Sequence, residues 1–316
     1  MFSFLPSPLL GVLSASMIVL NTLFWCATLV PLILLKFIPI QPLRHFSTLG
    51  LMWLANHWVA GNSLIMKLTQ DTDWDVSGIE QLDLRKSYLV ISNHRSWTDI
   101  FVLQHVFQGK IPFLKFFLKQ QLIWVPLLGV AWWALDFPFM KRYSREYLEK
   151  HPEMRGKDME TTRKHCEKYK QYPVSVINFL EGTRLTEAKL KRQNSPYQQL
   201  LKPKAGGVAL VLSAMGDTLS EVLDVTILYP GHQKHKPFWA LLSGHLPEIT
   251  VKVRTLPLPE NVIGRDYLND PDYQQQIQTW VNQLWQDKDQ LIQATQAAWQ
   301  SQHPDTRQPA PQLEKV

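Results

Sequence analysis

The first 35 residues contain no Asp, Glu, Lys, Arg or His, and the first acid of the chain is Asp71, so all 27 acids lie beyond position 70. An N-terminus this bare is poorly suited to water. Leu9 to Leu35 is a 27-residue apolar run interrupted only by small or singly polar residues. As a helix it is roughly 40 Å long, enough to cross about 30 Å of hydrocarbon with tilt. A cleaved secretory signal is the main alternative. It would begin with a basic stretch and end at small residues, whereas here no positive residue precedes the run and bulky residues follow it. Lys36 and Arg44 come next, which by the positive-inside rule puts the C-terminal side in the cytoplasm. Residues 46–66 form a second uncharged stretch containing Asn56, His57 and Asn62. It is too polar for a second span and reads as an interfacial helix with Trp53 and Trp58 at headgroup depth. His57 reads as an interface histidine rather than a ligand or a base.

Beyond this segment the sequence predicts one α/β domain with a mixed, largely buried sheet flanked by helices. Short β-branched runs at 74–79, 87–92, 134–140, 174–180, 222–229 and 247–255 alternate with helical patterns near 99–108, 115–123, 158–171, 206–215 and 271–300. The expected organisation is a membrane-embedded helical segment over 1–70, the α/β domain over 71–300 and a disordered tail over 301–316. Two cysteines, Cys26 and Cys166, exclude a disulfide scaffold and a multi-cysteine zinc site. His232 and His235 have no third ligand nearby, so no metal is expected. The net charge of +6 would suit a nucleic-acid partner, but no binding motif is present and a charge-free N-terminus has no role in one.

Reactive residues gather at the ends of predicted strands, where α/β folds place their sites. After 87–92 comes Asn93-His94-Arg95-Ser96-Trp97-Thr98-Asp99. An acid five residues beyond a histidine can fold back onto one ring nitrogen, fix the tautomer and leave the other as a base. The alternative is a surface turn with Asp99 capping the next helix. No G-x-S-x-G nucleophile motif accompanies the pair, so the hydroxyl to be activated belongs to a substrate. After 174–180 comes Glu181-Gly182-Thr183-Arg184, followed by a basic stretch ending in Lys204-Ala205-Gly206-Gly207, where backbone amides at a helix start can face an anion. After 134–140 comes Lys141-Arg142, and arginine is the natural bidentate partner of phosphate. Each cluster has an ordinary reading as a solvated turn, but together they point to one site for an anionic substrate. The stretch 111–139, rich in Phe, Leu, Trp and Pro, suits an apolar groove, a surface that dips into a bilayer or ordinary core.

Four blocks in order, NHRSWTD (93–99), FPFMKR (137–142), FLEGTR (179–184) and VTILYP (225–230), resemble those of glycerolipid acyltransferases. The resemblance is strongest to bacterial 1-acylglycerol-3-phosphate O-acyltransferases of the PlsC type and their YihG-like subgroup, and it covers roughly residues 74–260. It implies that His94 and Asp99 are the catalytic pair, with His94 as general base on the sn-2 hydroxyl of 1-acyl-glycerol-3-phosphate. It further implies that Arg142, Glu181, Gly182, Thr183, Arg184 and Lys204 bind the acceptor, Glu181 by ordering the basic loop or the glycerol. The acyl donor would be acyl-CoA or acyl carrier protein, with no cofactor and no metal. The implied partners are membrane phospholipids and a lysophospholipid acceptor, at a bacterial inner (cytoplasmic) membrane with the catalytic domain facing the cytoplasm. Leu180 and Thr226 stand where the family frequently has proline, which bears on loop shape and substrate subclass. Lysophosphatidylglycerol or lysocardiolipin as acceptor, and an inactive lipid-binding protein, remain alternatives.

Overall fold

A computed structural model describes residues 2, 4–140, 150, 151, 160, 167, 169, 170, 172–231, 237–267 and 269–304. Arg142, Cys166, His232, His235, most of the helix expected over 158–171 and nearly all of the expected tail lie outside the described residues.

The chain opens with two long helices, α1 (Ser7–Lys36) and α2 (Gln41–Thr69). α1 is long and apolar enough to cross a membrane by length and composition. Its packing identifies it as one arm of a hairpin. Small residues at the seam let the helices close: a Cβ on Gly50 would meet Leu32, and one on Gly61 would meet Asn21. The Asn21 amide donates to Trp58 O (3.0 Å) and Asn62 Oδ1 (2.9 Å), and Trp58 Nε1 donates to Thr22 Oγ1 (3.1 Å). Asn21, Trp58 and Asn62 Oδ1 thus find partners across the seam, where an unpaired polar group is costly, whereas Asn62 Nδ2 and Ser63 Oγ are buried without one among the described residues. Trp58 therefore turns toward α1 instead of sitting at an outer interface, whereas Trp53 is exposed. Most of the outer face of α1, including Leu20, Phe24 and Leu34, is exposed.

Both ends of α1 are tied to the rest of the molecule. Near its start, Gly11 lies under Trp239 and Gly244 lies under Leu10. At its end, Lys36 Nζ donates to Ala134 O (2.7 Å) and Asp136 Oδ2 (2.6 Å).

The following strands and helices are β1 (Asp73–Ser77), β2 (Tyr88–Ser92), α3 (Thr98–Phe107), β3 (Leu114–Phe116), β4 (Leu118–Lys119), a 3₁₀ turn (Gln120–Trp124), α4 (Leu128–Ala134) and β5 (Phe139–Met140). Then come β6 (Ser175–Phe179), α5 (Glu187–Gln193), α6 (Gly206–Met215), β7 (Glu221–Leu228), α7 (Pro237–Leu242), β8 (Glu248–Leu256) and α8 (Pro271–Gln302). Six strands form one mixed sheet in the order β1-β8-β7-β2-β6-β3, in which only the β7–β8 pairing is antiparallel. β2 is buried along its whole length, which explains its unbroken apolar run. One face of the sheet packs against the helical hairpin and α3, the other against α6 and α8.

Two expectations fail locally. The helix foreseen over 115–123 is replaced by β3, β4 and the 3₁₀ turn, and the strand foreseen over 134–140 shrinks to Phe139–Met140 behind the last turn of α4. Both segments are apolar all round, so periodicity carries no information on helix against strand there. A buried ion cluster fastens α8: Asp224 binds Arg254 through Oδ2 (2.6 Å) and Lys288 through Oδ1 (2.6 Å), and Lys288 also donates to Val225 O.

Candidate active site

His94 leaves the C-terminal end of the central strand β2. Asn93 extends the sheet's pairing by one residue with its side chain, donating from Nδ2 to Ile227 O (2.9 Å) and accepting from Ile227 N at Oδ1 (2.9 Å). This fixes the backbone from which His94 projects. Asp99, in the first turn of α3 and fully buried, lies with Oδ2 2.8 Å from His94 Nδ1. An ionised carboxylate only accepts, so Nδ1 carries the proton and Nε2 is left unprotonated. The same oxygen accepts the amides of Arg95 (2.6 Å) and Ser96 (2.9 Å), and Oδ1 accepts the Tyr229 hydroxyl (2.5 Å). The imidazole stacks on Phe179, with ring centroids 4.0 Å apart and 17° between planes. The surface-turn alternative fails on burial, since a solvated helix-capping acid would not be sealed from water.

The second strand-end loop closes over the first. Glu181 is fully buried; its Oε1 accepts the His94 amide (2.8 Å) and its Oε2 the Leu201 amide (3.1 Å), while Leu185 N donates to His94 O (2.8 Å). Burial pushes the Glu181 carboxyl up to about 7 against the pull of its two backbone hydrogen bonds and the Arg95 charge. Arg95 is half-buried, and its Nε and Nη2 are sealed without a hydrogen-bond partner. Both Glu181 oxygens are thus engaged with the protein. The side chain is a buckle between the loops carrying His94 and Lys204, the loop-ordering one of its two implied roles.

Gly182, Thr183 and Arg184 do face the site. Gly182 has φ +66°, where a side chain would be strained, and the Lys204 stem lies within van der Waals reach of it. Arg184 lies over the Trp97 ring, 5.4 Å from its centroid. Lys189 Nζ ties Thr183 Oγ1 (2.9 Å) and Arg184 O (3.1 Å) together. Lys204 is exposed, and its backbone N–H donates to Leu180 O (2.8 Å).

His94, Gly182, Thr183 and Arg184 line an apolar cavity of about 460 Å³. Its walls also include Trp97, Phe116, Trp132 and Phe179, together with Trp25 and Trp58 of the helical hairpin. An imidazole, a guanidinium and an apolar cavity therefore meet at one site. Sequence reasoning missed Lys119 and Asn178, which line the cavity, and Tyr229. Lys119 stands in a stretch read only for its apolar character, and Tyr229 belongs to a recognised block but carries no signal of its own.

A histidine–aspartate dyad at a sheet's strand ends, opening on an apolar cavity, defines the class of the site. The model of the family described as Acyltransferase matches residues 73–230, half of the chain, and the chain belongs to that family. It is 27% identical over 187 residues to the human 1-acyl-sn-glycerol-3-phosphate acyltransferase gamma, covering 56% of this chain and 44% of the relative. To the human delta enzyme it is 25% identical over 216 residues, covering 65% and 52%. The chain thus spans about half the length of these curated relatives. The crystal structure of the 1-acyl-sn-glycerophosphate acyltransferase PlsC from Thermotoga maritima matches 88% of this chain and 95% of its own, with a TM-score of 0.51 at 17% identity, a likeness of fold.

Proposed function

We propose that the protein transfers a fatty acyl chain from an acyl thioester, acyl-CoA or acyl carrier protein, to the sn-2 hydroxyl of 1-acyl-glycerol-3-phosphate, giving phosphatidic acid. The observation that carries this reading is the His94 Nδ1–Asp99 Oδ2 contact at 2.8 Å, with the imidazole in the wall of an apolar cavity that Arg184 also lines. His94 Nε2 takes the proton from the acceptor hydroxyl as its oxygen attacks the thioester carbonyl. Asp99 holds the tautomer and balances the imidazolium, and the imidazolium returns its proton to the departing thiolate. Arg184 and Lys204, with Lys119, supply positive charge for the phosphate, and Arg142 belongs to the same set on its motif. Gly182 and Thr183 shape the loop beneath them. The cavity takes an acyl chain, its size being typical of small-molecule sites. The protein residues supply the proton transfer and the charge in this reading, which calls on no cofactor or metal.

The substrate is membranous, and the surface fits that. The exposed face of α1 continues into Phe37, which stacks on Trp133 with ring centroids 5.6 Å apart, and on to Trp124, which is 86% exposed. Because both ends of α1 are held by the α/β domain, we read the hairpin as lying in the leaflet that supplies the lysolipid, on the cytoplasmic side of a bacterial inner membrane. The organisation proposed is hairpin to residue 70, catalytic domain to 300 and tail beyond. The relatives named gamma and delta acylate 1-acyl-sn-glycerol-3-phosphate by their names, and that acceptor is carried over here. The YihG-like blocks leave lysophosphatidylglycerol and lysocardiolipin as the competing acceptors. Purified protein supplied with labelled acyl thioester and a panel of lysophospholipids tests the reading. Diacyl product is expected fastest from lysophosphatidate, and absence of product from every acceptor contradicts it.

A further inference from the structure

The Asp99 carboxylate has two oxygens with unlike surroundings. Oδ2 faces its own loop, taking His94 Nδ1 and the amides of Arg95 and Ser96. Oδ1 is served from another element: the Tyr229 hydroxyl, one residue beyond β7, donates to it at 2.5 Å. The delivery of that hydroxyl is well fixed. β7 runs parallel to β2 with Ser92 opposite Val225, and the Asn93 amide then clips Ile227 from both sides, two residues before Tyr229. Burial, then the Asp99 charge, holds the Tyr229 phenol well above its ordinary range, so it remains a donor at any working pH. All three donors on Oδ2 come from Asp99's own loop, so they move with that loop and leave the carboxylate room to rock with it. The donor on Oδ1 comes from the sheet, so it anchors the carboxylate independently and narrows the range over which its plane meets the imidazole.

We propose that Tyr229 is a positioning residue for the reaction, acting through Asp99 to hold the His94 ring in its base-competent orientation. The proposal rests on the reading of His94 as general base. The test is Tyr229→Phe, which deletes one oxygen and leaves the ring in the core. Two readouts are made on the full chain in detergent. In acyl-transfer kinetics the expected result is a fall in kcat of about tenfold with both Michaelis constants unchanged. In proton NMR the far-downfield resonance of the His94 Nδ1–H, assigned by its loss in His94→Ala, should move or broaden in Tyr229→Phe. An unmoved resonance, wild-type kcat, or a change confined to a Michaelis constant overturns the proposal. If the wild type acylates no lysophospholipid, the general-base reading fails on its own, and the resonance alone decides whether Tyr229 orders the dyad.

Discussion

The two halves of the site are held in different ways. On the dyad side nothing is left to rotate. Asp99 is sealed from water and takes four donors, His94 is stacked on Phe179, and the backbone on either side is clamped by Asn93 and Glu181. On the cation side Lys204 is held by its backbone and Lys119 is exposed, while Arg184 rests on an aromatic face. The contrast matches the tasks proposed for them. Proton transfer requires heavy atoms about 3 Å apart in a set direction. Phosphate is a large anion that a mobile cation can follow, with less lost to a small displacement.

That comparison can be broken by variants on either side. Asp99→Asn keeps the shape but removes the charge: its amide oxygen can stand in for Oδ2 and its NH2 can face the Tyr229 hydroxyl, and no anion is left to balance an imidazolium at His94. We expect kcat to fall by about 10²–10⁴ with binding of the acceptor retained; a loss confined to the acceptor's Michaelis constant would place Asp99 on the wrong side. Arg184→Ala should act the opposite way, raising the acceptor's Michaelis constant about tenfold with kcat within a few-fold of wild type. A collapse of kcat at unchanged Michaelis constant would show that Arg184 acts in the chemistry.

The smallest effect is one of stability. The Glu181 carboxyl sits at about 7 when folded, above its ordinary 4.5. The folded protein therefore holds a proton that the unfolded chain has released. Stability from this group is complete below about 4.5 and is lost as pH rises through about 7, by up to ~3 kcal/mol in total. Denaturant titrations of Glu181→Gln from pH 5 to 7.5 should lack this decline, and curves parallel to wild type would refute the assignment.

Much of the molecule was legible before any coordinates. The buried strands β2 and β7 announce themselves by β-branched runs, α6 and α8 were expected nearly at their observed bounds, and the His94–Asp99 spacing allows a dyad or a surface turn, of which the family resemblance implies the first. What escaped did so for physical reasons. Between 114 and 140 every face is apolar, so neither the period of 2 nor that of 3.6 shows, and short β pairing there depends on tertiary partners. Which of its two implied roles Glu181 takes does not show in a row of letters, because its burial is decided by the loop at Leu201, twenty residues away. Tyr229 gives no sign of its role because only the parallel register of β7 with β2 brings it to Asp99. The N-terminal run was readable as apolar, but its tie at both ends, to Trp239 and to Asp136, was not.

The central claim is that His94 is the base that activates a lysophospholipid hydroxyl. The direct measurement is single-turnover acyl transfer from a labelled thioester to lysophosphatidate by wild-type protein and His94→Ala, both shown to be folded and to bind the lysolipid. We predict rapid formation of phosphatidic acid in the wild type and none above the uncatalysed rate in the variant. Wild-type turnover by His94→Ala would contradict the account.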